Sequence, residues 1–344
     1  MTGMRSLVIA PQWIGDAVMS EPLMRALCQR EERLTVLALP WVAPVYRSMP
    51  SVAEVIEAPF QHGGLQWRER RAMASRLKGQ FDCAYVLPNS LKSALLPWMA
   101  GIRRRVGRLG ELRYGLINVR WPNPPRGVRP PMVDFYMALA AETGAASGHT
   151  RPGPPVEPRL QIDPTVAQAA MQRHGLTARA YGVFAPGAEF GPAKRWPAKH
   201  YAELATRLGG TVVLLGSPKE AQDAQAIAAA VAPDAARVVN LIGQTTLAEA
   251  FGLIAQSGWM VSNDSGLMHV AAALDVPQVA VFGSSSPEHT PPLSPKAQVL
   301  WLKWDPKYQP PLDCAPCFQR TCPQGHLRCL HDIRPDRVLQ ALAD

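Results

Sequence analysis

At 344 residues the chain exceeds what one hydrophobic core usually organises, so two domains are the default expectation. Hydrophobic residues make up 47% of it, yet no apolar run approaches the ~18 residues of a membrane span. The short apolar stretch at residues 7–10 stops at Pro11 and meets Asp16 too soon for a signal peptide, which points to a cytoplasmic protein. The formal charge of +9 sits almost wholly in the first half: residues 1–150 hold 19 Lys and Arg against 11 Asp and Glu, net +8, leaving 17 against 16 for the rest. A basic half attracts polyanions, whether nucleic acid, anionic lipid headgroups or a phosphorylated substrate, unless it is simply a solvated surface.

Apolar, β-branched stretches at 6–10, 34–39 and 83–87 alternate with helical patterns at 17–29 and 68–78, the rhythm of βαβ units around a parallel sheet. Residues 122–131 are rich in Pro. So are 151–164, where Pro152, Pro154, Pro155, Pro158 and Pro164 discourage helix and central strand, as an interdomain linker would. The rhythm then restarts at 181–185, 211–215, 238–241, 260–261 and 278–282. The expected fold class is α/β, two doubly wound domains whose ligands bind beyond the carboxyl ends of the strands.

Three strand-end loops carry candidate chemistry. Residues 11–16 follow the opening strand; Gly15 lets a substrate approach the backbone, and Asp16 is either a helix cap or a carboxylate able to take a proton from an attacking hydroxyl. The G-x-G-x-x-G spacing is missing, which argues against a dehydrogenase or epimerase. Residues 186–197 bring Gly187, Gly191 and Lys194 to a helix starting near Ala198; this is a phosphate-holding loop or a plain turn with a surface lysine, and not a Walker A motif. In residues 262–269, Asp264, Ser265 and Gly266 open a helix with His269 one turn inside, an arrangement that suits a diphosphate; a capped helix with a packed His is the alternative. Residues 282–286 can border the same pocket.

Four of the six cysteines fall in one segment as Cys314-x2-Cys317-x4-Cys322-x6-Cys329. In a reducing compartment this clustering favours a structural zinc over disulfides, although the spacing is irregular beside a zinc ribbon and free thiols or a disulfide stay open. No Asp-x-Asp pair, the usual clamp for a metal-bound diphosphate, occurs anywhere. No nucleic-acid recognition motif accompanies the N-terminal charge, so no nucleic-acid partner is expected.

Residues 13–16 (WIGD), 85–94 (YVLPNSLKSA), 113–118 (RYGLIN), 186–197 and 263–273 (NDSGLMHVAAA), in this order and spacing, resemble the ADP-heptose:lipopolysaccharide heptosyltransferases. The run FGPAKRWP at 190–197 is similar to the branch that adds the second heptose rather than the first.

The resemblance implies a GT-B glycosyltransferase: an acceptor-binding Rossmann-like domain at 1–160, an ADP-heptose-binding one at 161–330 across a cleft, and a final helix at 331–344 packing back on the first domain. It implies inverting transfer of L-glycero-D-manno-heptose to the first heptose of a Kdo-lipid A acceptor, or, as the alternative, transfer at another core position. Asp16 becomes the general base, and Gly187, Ala188, Glu189, Lys194, Glu220, Asp264, Ser265, Gly266 and His269 the donor contacts. Arg68, Arg71, Lys92 and Arg113, with Arg70 and Arg103 to Arg105 behind them, become the acceptor contacts. No cofactor and no catalytic metal are required, and contact with the inner face of the cytoplasmic membrane is peripheral.

Overall fold

Each half of the chain is built on six parallel strands. The computed structural model describes residues 3–60, 64–125, 127–141 and 156–343; the linker prolines Pro152, Pro154 and Pro155 lie outside the described residues. The first unit runs Met1–Gln161 and the second Ile162–Asp344. In the first, β1 (Arg5–Ile9), β2 (Arg33–Ala38), β3 (Glu54–Glu57), β4 (Cys83–Val86), β5 (Arg104–Arg108) and β6 (Val119–Trp121) line up as β3-β2-β1-β4-β5-β6. In the second, β7 (Tyr181–Ala185), β8 (Thr211–Leu214), β9 (Arg237–Asn240), β10 (Trp259–Asn263), β11 (Gln278–Val281) and β12 (Ala297–Leu300) repeat that order as β12-β11-β10-β7-β8-β9.

The central strands are nearly continuous apolar runs because helices cover both sheet faces. Val8 lies between Val36 and Tyr85, and every residue of β7 is buried. In each unit the winding reverses beside the first strand, between β1 and β4 and between β7 and β10, which opens a crevice at the strands' carboxyl ends. Since all strands are parallel, every loop that follows a strand lies on one edge of its sheet.

The helix expected over 17–29 is two helices, Ile14–Met19 and Glu21–Cys28. Pro22 explains the break: it has no N–H to donate and its ring would clash with the carbonyl four residues back, so the chain restarts at Ser20. β3, β5, β6 and β12 escaped the sequence reading. β3 and β5 read EVIE and RRVGR, so charge masks the pattern, and β6 has only three residues. In the last helix, Pro335–Ala343, Val338 and Ala341 join Trp196, Tyr201 and Phe282 in the second unit's core, and Arg207 pairs with Asp336 at 2.5 Å.

Candidate active site

In the second unit, the loop after β7 and the turn after β10 meet beside the switch point. Lys194 ends a short 3₁₀ turn, Pro192–Lys194, and its Nζ stands 2.5 Å from Asp264 Oδ2, with the side chains only 17% and 5% exposed. Asp264 immediately precedes Ser265, which caps the helix Gly266–Ala273 without a side-chain hydrogen bond. The first amides of a helix have no intrahelical acceptor and carry its positive dipole end. A nearly dry cation and a helix start therefore converge on one spot, and an anion arriving there meets both.

Asn263 wires this arrangement together and was missed as a separate role in the sequence. Its Oδ1 accepts from the Trp196 amide (2.9 Å) and the Tyr201 hydroxyl (3.2 Å), and its Nδ2 donates to Pro186 O (2.6 Å). The end of β10 thus fixes both ends of loop 186–197. The only hint in the sequence was an Asn in a strand's last position, where a short amide can reach neighbouring backbone.

Gly187 packs closely on Glu220: a Cβ there would stand 2.6 Å from Glu220 Cδ, so any larger residue would have to displace that side chain. Glu220 itself is buried in the turn after β8, accepting a 2.7 Å hydrogen bond from Ser217 Oγ. Gly187, Ala188 and Glu220 therefore form one wall, while Glu189 points outward into an ion pair with Lys219. The Asp264 amide is committed to Val281 O at 3.2 Å, which leaves Ser265 and Gly266 as the expected amide donors. His269 is buried, and desolvation lowers its pKa to about 4, against a partial opposing pull from Asp264. It offers a neutral imidazole at pH 7. Ser284 N donates to Ala193 O (3.2 Å), so the 282–286 turn does border the Lys194 loop, and the Ser284 and Ser285 hydroxyls are buried without a protein partner among the described residues.

In the first unit, Asp16 is the third residue of the helix Ile14–Met19, which is capped by Trp13; Asp16 is therefore not its N-cap. The half-buried carboxylate accepts from Tyr136 O–H, and burial together with that charge raises the Tyr136 pKa well above its ordinary value. Tyr136 comes from the helix Met132–Met137, more than a hundred residues on, so no local spacing could have announced it.

The arginines divide sharply. Arg113 is 1% exposed and spends its guanidinium on Arg108 O, Pro88 O, Ser90 O, Ser93 Oγ and Asn89 Oδ1, with burial lowering its pKa to about 10. Its guanidinium ties loops together, which weighs against the contact with the acceptor expected of it. Arg70 likewise donates to Leu65 O and Lys92 O, and Arg105 to Leu116 O and Ile102 O. Arg103 and Arg104 stand at the amino end of β5, the sheet edge opposite Asp16. Arg68 and Arg71 are exposed and Lys92 partly so, which leaves them as the available cations.

Cys314, Cys317, Cys322 and Cys329 line one small cavity with Ala193, Gly283 and Ser284. All are thiols, and among the described residues no three His, Cys, Asp or Glu side chains stand in metal-binding geometry.

The profile of glycosyltransferase family 9 (heptosyltransferase) matches residues 70–328. The chain is 44% identical to lipopolysaccharide heptosyltransferase 2 of Escherichia coli (strain K12), covering 98% of this chain and 97% of that one. It is 41% identical to lipooligosaccharide heptosyltransferase 2 of Haemophilus ducreyi, covering 98% of each. The solved structure of E. coli ADP-heptose lps heptosyltransferase II superposes with a TM-score of 0.85 at 42% identity, over 99% of this chain and 98% of that one. The α/β fold of two parallel six-stranded sheets is the GT-B class of that structure.

Proposed function

Because the chain belongs to glycosyltransferase family 9, the heptosyltransferases, we propose that it moves L-glycero-D-manno-heptose from ADP-heptose onto the first heptose of the lipopolysaccharide inner core, with inversion. Heptose transfer in the lipopolysaccharide core is the activity of its relatives at 41–44% identity; donor, acceptor position and stereochemistry are the finer reading.

The observation that carries it is the Lys194–Asp264 pair at the start of the helix Gly266–Ala273, beside the β7/β10 switch point. A sugar diphosphate needs positive charge that is already oriented when its leaving group departs. Lys194 and the Ser265 and Gly266 amides supply that charge to the β-phosphate, and the wall of Gly187, Ala188 and Glu220 receives the nucleoside. Asp16, held by Tyr136, takes the proton of the acceptor hydroxyl as its oxygen bonds to the anomeric carbon. The anomeric C–O bond to the diphosphate breaks in the same displacement, and ADP leaves with the electron pair. With no Asp-x-Asp clamp in the chain, Lys194 and the helix end stand in for a catalytic metal.

The first unit supports a lipid-linked acceptor. Trp13, Trp41, Trp67, Leu91, Leu112 and Tyr114 are exposed large side chains, and all lie in loops or helix starts that follow strands, on the edge that also carries Asp16. With Arg68, Arg71 and Lys92 nearby in sequence, they make that edge both apolar and cationic, as an anionic amphiphile requires. Among the described residues no helix is long and apolar enough to cross a membrane, so membrane contact through this edge is peripheral in our reading.

The test is an assay of the purified chain with ADP-heptose and Kdo-lipid A bearing one heptose. The expected outcome is ADP release with a one-heptose mass gain, an inverted anomeric configuration by NMR, and turnover undiminished when chelator is added at the start. Transfer only to an acceptor of different core length would replace this reading with the alternative, a heptosyltransferase acting elsewhere in the core.

A further inference from the structure

We infer that Cys314, Cys317, Cys322 and Cys329 bind one thiophilic divalent ion of the zinc class, and that this ion clasps the loop carrying Lys194. The four thiols line a single cavity of about 20 Å³. A space of that size holds one water-sized guest, hence one ion. Four cysteines on one small cavity supply the ligands of the tetrahedral S₄ set that zinc takes in structural sites, and thiolates select soft ions over hard ones.

Residues 305–327 contain neither helix nor strand. A loop of that length is uncommon inside a packed domain unless something ties it down. Yet Leu312, Ala315 and Cys329 from this segment and its end are buried in the second unit's core. A cross-link at the four cysteines accounts for how so irregular a segment holds its place. Among the described residues the thiols are not gathered into coordination geometry. Each turns about one torsion between staggered wells, the freedom needed to converge when an ion enters and their protons leave to solvent.

The clasp follows from backbone contacts. Ala193 N donates to Arg320 O at 3.0 Å, Phe318 N to Ser284 O at 2.7 Å, and Ser284 N to Ala193 O at 3.2 Å. Residues 318 and 320 lie between Cys317 and Cys322, so the ion would lock the strip against which Lys194's turn is bonded. Contact is so close at Gly191 that a Cβ there would stand 2.6 Å from Arg320 O. That this loop serves the donor rests on the function proposed above; the metal itself does not.

The experiment uses the full chain, stripped by prolonged chelation under reductant and titrated with Co²⁺. One equivalent should bind, with near-ultraviolet thiolate-to-cobalt charge transfer and the visible bands of a tetrahedral centre, and Zn²⁺ should discharge both. Cys317→Ser should weaken Co²⁺ binding by at least ~10-fold, the cost of disturbing even an outer-shell partner, whereas Cys28→Ser should leave it unchanged. Absence of the cobalt–thiolate bands, an unchanged Co²⁺ affinity in Cys317→Ser, or a disulfide among the four would each overturn the site. Amides of residues 188–195 should exchange faster in the stripped protein; unchanged exchange would overturn the clasp. None of these readouts involves a substrate, so failure of the transfer assay would leave them standing.

Discussion

The two units wind six parallel strands in the same order, and each sets a candidate group beside its own switch point, but the crevices are built differently. In the second, a nearly buried ion pair, a buried His269 and the hydrogen bonds of Asn263 gather at the ends of β7 and β10. In the first, a half-buried Asp16 is bonded to Tyr136, and exposed tryptophans follow strands on the same sheet edge. A small, invariant diphosphate rewards preorganisation, because oriented charge then costs no reorganisation during the reaction. A large amphiphile needs an accessible edge. Under the proposed function, one scaffold would serve two recognition problems through the different burial of the loops after its strands.

The comparison breaks most visibly at Asp16. Asp16→Asn should lower kcat by ~10²–10⁴-fold, the range of general-base contributions, with ADP-heptose affinity unchanged by calorimetry; near-normal turnover would remove the base assignment. Next, Lys194→Met should lower kcat by ~10²–10³-fold, as loss of one preorganised donor does. It should also destabilise the second unit, since removing one partner of a buried pair costs about 3–5 kcal/mol, nearer the lower figure here because Lys194 keeps some solvent contact. Urea denaturation reads the second effect, and an unchanged midpoint would mean the pair is not structural.

A smaller effect separates wiring from chemistry. Asn263→Ala should cost about 1–3 kcal/mol for the groups left unsatisfied and raise the KM for the nucleotide sugar more than it lowers kcat. Equal losses in both would place Asn263 in the reaction itself. The smallest effect concerns pH. Burial lowers His269 and His200 to about 4, so between their ordinary value of 6.5 and pH 4 the unfolded chain binds protons that the folded one does not. Stability of the second unit is therefore full above pH 6.5 and lost progressively as pH falls toward 4. The described residues of the first unit include no histidine, so none of them adds to this slope. Hydrogen exchange at pH 7 and pH 5, unit by unit, checks it, and His269→Gln should flatten the second unit's response.

Much of the site was legible because local rules govern it. Gly187 and Lys194 sit in a loop that follows an apolar strand, and Gly266 opens a helix after another; a reader needs only strand ends and helix starts to find them. Arg113 shows where such reading stops. An exposed phosphate-binding arginine and a buried one tying loops together have the same letter and similar neighbours, and only packing decides which it is. Tyr136 and Asn263 were invisible as partners for the same reason, since their contacts lie many residues away.

By itself, then, the amino-acid order determined the alternation of strand and helix, the repeat of that pattern in two halves, and the loops where chemistry gathers. These follow from side-chain periodicity, from prolines and glycines, and from parallel strands that send their loops to one edge. Tertiary structure alone decided which charges are dry and paired, which arginines are spent on carbonyls, and which thiols share a cavity. Burial and hydrogen-bond partnership depend on what the rest of the chain brings alongside, and no window of sequence contains that.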